Sequence, residues 1–148
     1  MGMYAALGIS ATGLSAQRLR MDVVANNLAN ADATLGPGRA YRRKEVVLTP
    51  APGGPAFALP SPAGSLPLAA SDLHGVAVAA IVEDRAPLRR VYEPGDPEAD
   101  ARGYVTKPNV NPVVELVDLV AATRSYQANV TAFDATKQMA LETLKVLR

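Results

Sequence analysis

Residues 113–148 read VVELVDLVAATRSYQANVTAFDATKQMALETLKVLR. Leu116, Leu119, Thr123, Tyr126, Val130, Phe133, Lys137, Ala140, Leu144 and Leu147 step by three and four, with Thr123 and Lys137 as the polar exceptions. That spacing lays one apolar stripe along a helix, as in a coiled-coil seam. As one continuous helix the segment would span roughly 54 Å at 1.5 Å per residue. A compact domain of this chain length has a radius of gyration of only about 15 Å. A helix that long must break or find a partner.

The other end of the chain repeats the pattern. Tyr4, Leu7, Ala11, Leu14, Arg18, Met21, Ala25 and Leu28 form a second stripe, broken only by Arg18. Residues 3–31 read as one Ala- and Leu-rich helix that closes in Asn26-Asn27-Leu28-Ala29-Asn30-Ala31-Asp32, where Asn and Asp favour caps and turns. A chain with helical seams at both ends is patterned for assembly.

The middle is different. Gly36-Pro37-Gly38 breaks the chain, and Tyr41 to Leu48 reads as a strand. No charged residue falls between Val46 and Ser71, and prolines stand at 50, 52, 55, 60, 62 and 67. Proline disrupts helix and sheet interiors, so about 50–74 reads as an extended excursion. Val76–Val82, Leu88–Tyr92 and Tyr104–Thr106 read as further strands, with Glu93-Pro94-Gly95-Asp96-Pro97 as a turn. Asn111 suits an N-cap, with Pro112 at the first helical position. The expectation is an α+β fold. Residues 1–31 and 113–148 form a helical core that pairs like a coiled coil, and 32–112 form an inserted β-rich unit.

The 148 residues carry a formal net charge of +1, with no cysteine and no tryptophan. Without cysteine there are no disulfides or thiolate metal sites. The near-neutral balance provides no global field for nucleic acid. Arg39, Arg42, Arg43 and Lys44 form the densest basic cluster, read as a solvated strand edge. The start lacks a basic segment followed by an apolar run, so no cleaved signal is expected. No run reaches the ~20 apolar residues of a membrane span, so no membrane insertion is expected.

Catalytic motifs are not evident. There is no phosphate loop or nucleophile elbow, and the single histidine, His74, has no metal-ligating companion at a recognisable spacing. Asp96, Glu98 and Asp100 alternate and offer a rival reading outside the structural class, a small ligand- or metal-binding domain. Counted as an EF-hand from Asp96, the sixth and twelfth places hold Ala101 and Lys107, so the calcium pattern fails. No catalytic residue, cofactor or metal site is assigned.

Val23-Val24-Ala25-Asn26-Asn27-Leu28-Ala29-Asn30-Ala31-Asp32 resembles the N-terminal signature of bacterial flagellar rod and hook axial proteins. Gly36 to Lys44, Val91 to Asp100, Gly103-Tyr104-Val105, Pro108 to Pro112 and Ser125-Tyr126-Gln127-Ala128-Asn129-Val130 resemble one rod-protein branch of that family. The signature positions are Asn26, Asn27, Asn30, Pro94, Gly95, Asn109, Tyr126 and Asn129. The resemblance implies a structural subunit of the proximal rod, which transmits torque across the periplasm; the alternative within the class is another rod- or hook-family axial subunit. It implies export through the flagellar type III apparatus without signal cleavage, and assembly with itself and other rod subunits. Leu7, Leu14, Met21, Leu28, Leu116, Leu119, Tyr126, Val130, Phe133 and Leu144 are the expected assembly residues.

Overall fold

The structure, a computed structural model, describes residues 3–34, 39–52 and 75–146. Tyr4's side chain, His74, Leu147 and nearly all of the proline-rich excursion lie outside the described residues. The fold is α+β: α1 (Met3–Ala29), β1 (Lys44–Pro50), β2 (Val76–Glu83), β3 (Arg89–Tyr92), β4 (Tyr104–Lys107) and α2 (Pro112–Val146).

The two helices lie side by side and antiparallel. Asn27 of α1 meets Glu115 of α2, Thr123 Oγ1 lies 3.6 Å from Met21 Sδ, and Gly13 lies against Asn129. At Gly13 the Asn129 side chain packs tightly onto the backbone: a Cβ there would stand 2.9 Å from Asn129 Nδ2. Carried along the pair, this register sets the start of α1 level with about Met139. The last turns of α2 therefore overhang, and Leu144 is 63% exposed. At the other end Asn111 caps α2 as its sequence suggests, its Oδ1 accepting from Val113 N at 3.0 Å, with Pro112 in the first turn.

The β-rich part is two separate antiparallel ribbons, β1–β2 and β3–β4. A lone two-stranded ribbon is marginal in water and needs a surface to rest on. For β1–β2 that surface is α1, which lies between the ribbon and α2. Thr12 Oγ1 of α1 accepts from Val76 N at 3.0 Å, and Val46 of β1 is buried. β1 and β2 pair from Lys44↔Glu83 to Pro50↔Val76, with a bulge at Val47/Leu48.

β3–β4 is closed by a polar turn. Gly103 has φ +79°, a left-handed conformation that glycine adopts without strain, and a Cβ there would meet the Tyr92 ring at 2.8 Å. Tyr92 and Tyr104 stack edge to face at 5.3 Å. Asp100 Oδ1 accepts from Arg102 N at 2.8 Å and Tyr104 N at 3.0 Å, and its Oδ2 pairs with Arg90 at 3.0 Å.

Those backbone donors, helped by Arg90, hold the Asp100 carboxyl below its ordinary pKa. A depressed carboxylate stabilises the fold above its unfolded pKa, and that contribution fades as pH falls through the folded value. The turn should therefore loosen only below about pH 4. The protection factors of the Tyr104 and Arg102 amides should fall there in the wild type, and the Asp100→Asn variant should lose most of that acid dependence. A wild-type turn whose exchange shows no acid-specific step would contradict this role for Asp100.

Candidate functional site: the helix pair and its polar junction

α1, the segment entering β1, the segment leaving β4 and α2 converge on one polar cluster. Asn27 and Glu115 are both 0% exposed, the deepest polar side chains described. The Asn27 amide binds the Lys44 peptide from both sides: Nδ2 donates to the Lys44 carbonyl at 2.8 Å, and Oδ1 accepts from Lys44 N at 2.9 Å. Nδ2 also donates to Glu115 Oε2 at 3.0 Å. Only a side chain with both a donor and an acceptor at this length can do this, so asparagine is required where aspartate would fail.

Arg43 completes the cluster. Its Nε donates to Glu115 Oε1 at 2.5 Å, and its second arm reaches Asp118 Oδ2 at 3.1 Å. Asn109 Oδ1 accepts from Arg43 N at 2.8 Å. The bond from Glu115 raises the Arg43 pKa above its ordinary value, so the guanidinium stays charged. The Tyr41 hydroxyl lies 2.9 Å from Oδ1 of both Asn26 and Asn27. Burial, followed by the charges of Glu115 and Glu83, raises its pKa and keeps it a donor. The segment Tyr41–Arg43 is thus held by side chains and by two backbone bonds, Tyr41 N donating to the Ala33 carbonyl at 3.2 Å and Asp84 N to the Arg43 carbonyl at 2.8 Å, and the regular strand β1 begins at Lys44.

This arrangement corrects one sequence expectation. Arg43 is not a solvated strand edge; it turns inward onto α2. Arg42 is also engaged, donating to the Asp84 carbonyl at 3.2 Å. Sequence reasoning missed Glu115 altogether. The signal was its phase: Glu115 shares a helix face with Leu119, Ala122, Tyr126, Asn129 and Phe133, all buried or half-buried, while Leu116 is 49% exposed. The expected α2 seam is one residue out of phase at its start.

The other expected assembly residues divide. Leu7, Leu14, Met21, Leu28, Leu119, Tyr126, Val130 and Phe133 are half-buried along the helix pair, whereas Leu116 and Leu144 face solvent. Within the expected α1 stripe, Ala11, Arg18 and Ala25 are exposed. α1 has two partners, α2 and the β1–β2 ribbon, so its buried surface is broader than one seam and is rotated from it; Ala16 and Val24 are its most buried apolar residues. Among the signature positions, Asn26, Asn27 and Asn109 belong to the junction. Asn30 folds back to donate to the Asn26 carbonyl at 2.8 Å, and Asn129 packs on Gly13. Pro94 and Gly95 shape the β3–β4 turn beside Gly103, and Tyr126 sits between the helices.

Of the acidic trio, Asp96 and Asp100 are committed to turn chemistry, while Glu98 Oε2 is buried without a hydrogen-bond partner among the described residues. Asp96 Oδ1 accepts from Glu98 N at 2.9 Å, and Asp100 is held by Arg90 and the turn amides. Among the described residues no group of three or more His, Cys, Asp or Glu is placed to hold a metal. Among them, too, no helix is long and apolar enough to cross a membrane.

Paired terminal helices with a small β insertion, held by a signature-rich junction, define a class. Residues 7–37 match the family model described as flagella basal body rod protein, and residues 101–146 match that of the flagellar basal body rod FlgEFG protein C-terminal region. The chain is a member of the flagellar rod proteins. Within that class it is 46% identical to the flagellar basal-body rod protein FlgC of Bacillus subtilis (strain 168), over 99% of both chains. It is 38% identical to that of Borreliella burgdorferi over 100% of this chain and 99% of the relative. For that of Salmonella typhimurium the identity is 44%, over 92% and 91%. The chain therefore belongs to the FlgC family.

Proposed function

We propose that this chain is a structural subunit of the proximal rod of the bacterial flagellar basal body, polymerising through its terminal helices into the shaft that transmits torque across the periplasm. The observation that carries the reading is the helix pair itself. The two ends of the chain fold onto each other over nearly the whole of α1, yet Val113, Val114, Leu116, Val117 and Val120 of α2 remain exposed. An apolar helix face left in water is a surface awaiting a neighbour. A heterologous contact that does not close on itself builds a helical tube. Helices supply stiffness along the axis, and the polar junction would fix the angle of the β unit, residues 32–112, against the rod-forming helices, residues 1–31 and 113–148.

The partners in this reading are further copies of the chain, other rod subunits, and the flagellar type III export apparatus, which would pass the chain without signal cleavage. Expression in a strain lacking its own FlgC tests the reading. Swimming should return, and isolated basal bodies should contain the chain. A folded, exported chain that restores neither would overturn it.

A further inference from the structure

Outside the helix pair, we propose that the outer face of β3–β4 is a docking platform for the proline-rich segment, residues 53–68, of a second copy of this chain. The pairs Arg90↔Thr106 and Tyr92↔Tyr104, with strand alternation, put these four side chains on one face, opposite the buried Val105. The Tyr92 and Tyr104 rings are set at 5.3 Å and 63°, and Tyr92 lies against Gly103. Even so, Tyr92 is 63% exposed and Tyr104 42%. The Arg90 guanidinium lies 5.6 Å from the centre of the Tyr104 ring, tethered by Asp100 at 3.0 Å. The rings brace each other across the strands, but that contact leaves most of the Tyr92 surface in water. Preordered tyrosines beside an arginine are the side chains that anchor protein contacts.

The chemistry of this face selects an uncharged, proline-rich ligand. Aromatic surfaces bind proline-rich segments in the polyproline conformation, whose carbonyls have no internal partners and accept from a donor such as Arg90. Asp100 neutralises Arg90, so the guanidinium offers donors rather than net charge. The chain carries a matching ligand. It has no charged residue between Val46 and Ser71, and prolines at 50, 52, 55, 60, 62 and 67. Leu59-Pro60-Ser61-Pro62 is the anchor: in a polyproline conformation Leu59 and Pro62 fall on one edge, about 9 Å apart.

Reach assigns the ligand to a second copy. The segment leaves the β1–β2 ribbon at the Pro50↔Val76 end, beside Thr12 of α1. The Arg89–Lys107 end of β3–β4 lies at the opposite end of that ribbon: Arg42 donates to the Asp84 carbonyl, and Asn109 accepts from Arg43 N. From Thr12 to Asn27, at the junction, α1 spans about 22 Å. The tyrosines stand about 10 Å further along β3–β4, which rests on neither helix nor on β1–β2. Pro50 to Pro60 extends only about 31 Å in a polyproline conformation. A chain's own platform is at the limit of that reach, whereas a neighbouring copy can bring its platform to the segment.

The chain has no cysteine, so the contact can be read by cross-linking. Full-length Thr106→Cys and Ser61→Cys variants, mixed at high concentration with a thiol oxidant, should form a heterotypic covalent dimer. A synthetic peptide of residues 53–68 should compete it away. Tyr92→Ala with Tyr104→Ala in the Thr106→Cys chain should cut the yield about tenfold, the scale of truncating anchor tyrosines. That pair also braces the ribbon, so a second arm changes only the ligand. Pro60→Ala with Pro62→Ala in the Ser61→Cys chain leaves β3–β4 intact and should cut the yield about fivefold, since the segment loses its preset extended form. No heterotypic dimer, a dimer indifferent to the peptide, or a yield indifferent to the prolines would overturn the contact. Closure of a dilute Ser61→Cys, Thr106→Cys double variant on itself would show that the chain's own segment covers the platform, and would also overturn it. Complementation decides the rod reading separately: a chain that restores rods but forms no such link discards this contact alone.

Discussion

Arg43→Met should cost about 3–5 kcal/mol of stability, because it leaves the fully buried Glu115 carboxylate without its cation. A domain of this size has only about 5–15 kcal/mol in total, so the loss removes a large share of it. Denaturant titration should show a lower midpoint, and hydrogen exchange should show β1 losing protection. The informative companion is Arg43→Met with Glu115→Leu. Removing both charges eliminates the desolvation penalty, and replacing such pairs by apolar residues of similar volume is often neutral or better. The double variant should recover most of the lost stability, leaving Asn27 with its two bonds to Lys44. If the single variant matches wild type, the junction contributes no stability.

Leu14→Asp and Phe133→Asp should each abolish motility while leaving β3–β4 folded. Both side chains are half-buried along the helix pair. A carboxylate placed there without a partner costs about 3 kcal/mol or more. β3–β4 keeps its own contacts through Val105, Tyr92 and Asp100, so the damage should stay on the helices. Swimming halos measure the effect, and the amount of exported subunit separates failed assembly from failed export. Normal swimming by both variants would sink the role given to the helix pair.

Much of this was legible in the chain. The helices declared themselves by period, by the Asn111–Pro112 start and by the Asn-rich close of α1. The strands began and ended within a few residues of expectation, since Gly and Pro punctuate them. The phase of the seams was legible only in part: Leu119, Tyr126, Val130 and Phe133 lie along the helix pair as their spacing suggests, while other stripe positions do not. A single apolar stripe assumes one partner, but α1 has two, so Ala11, Arg18 and Ala25 turned outward. A buried charge sits where the stripe rule wants a leucine, so Glu115 took the inside place that Leu116 was given. Arg43 was hidden in a run of four basic residues, and nothing local says which of them turns inward; its partners are 72 and 75 residues away. Strand pairing was equally silent, because which ribbon forms depends on the surface offered by α1.

An electron-microscopy map of basal bodies carrying this chain tests the central claim most directly. The account requires density for the α1–α2 pair within the rod wall, its exposed α2 face against a neighbouring subunit, with the β ribbons outside the helices. A rod without the chain, or one in which the β ribbons form the wall while the helices stand apart from neighbouring subunits, would contradict it.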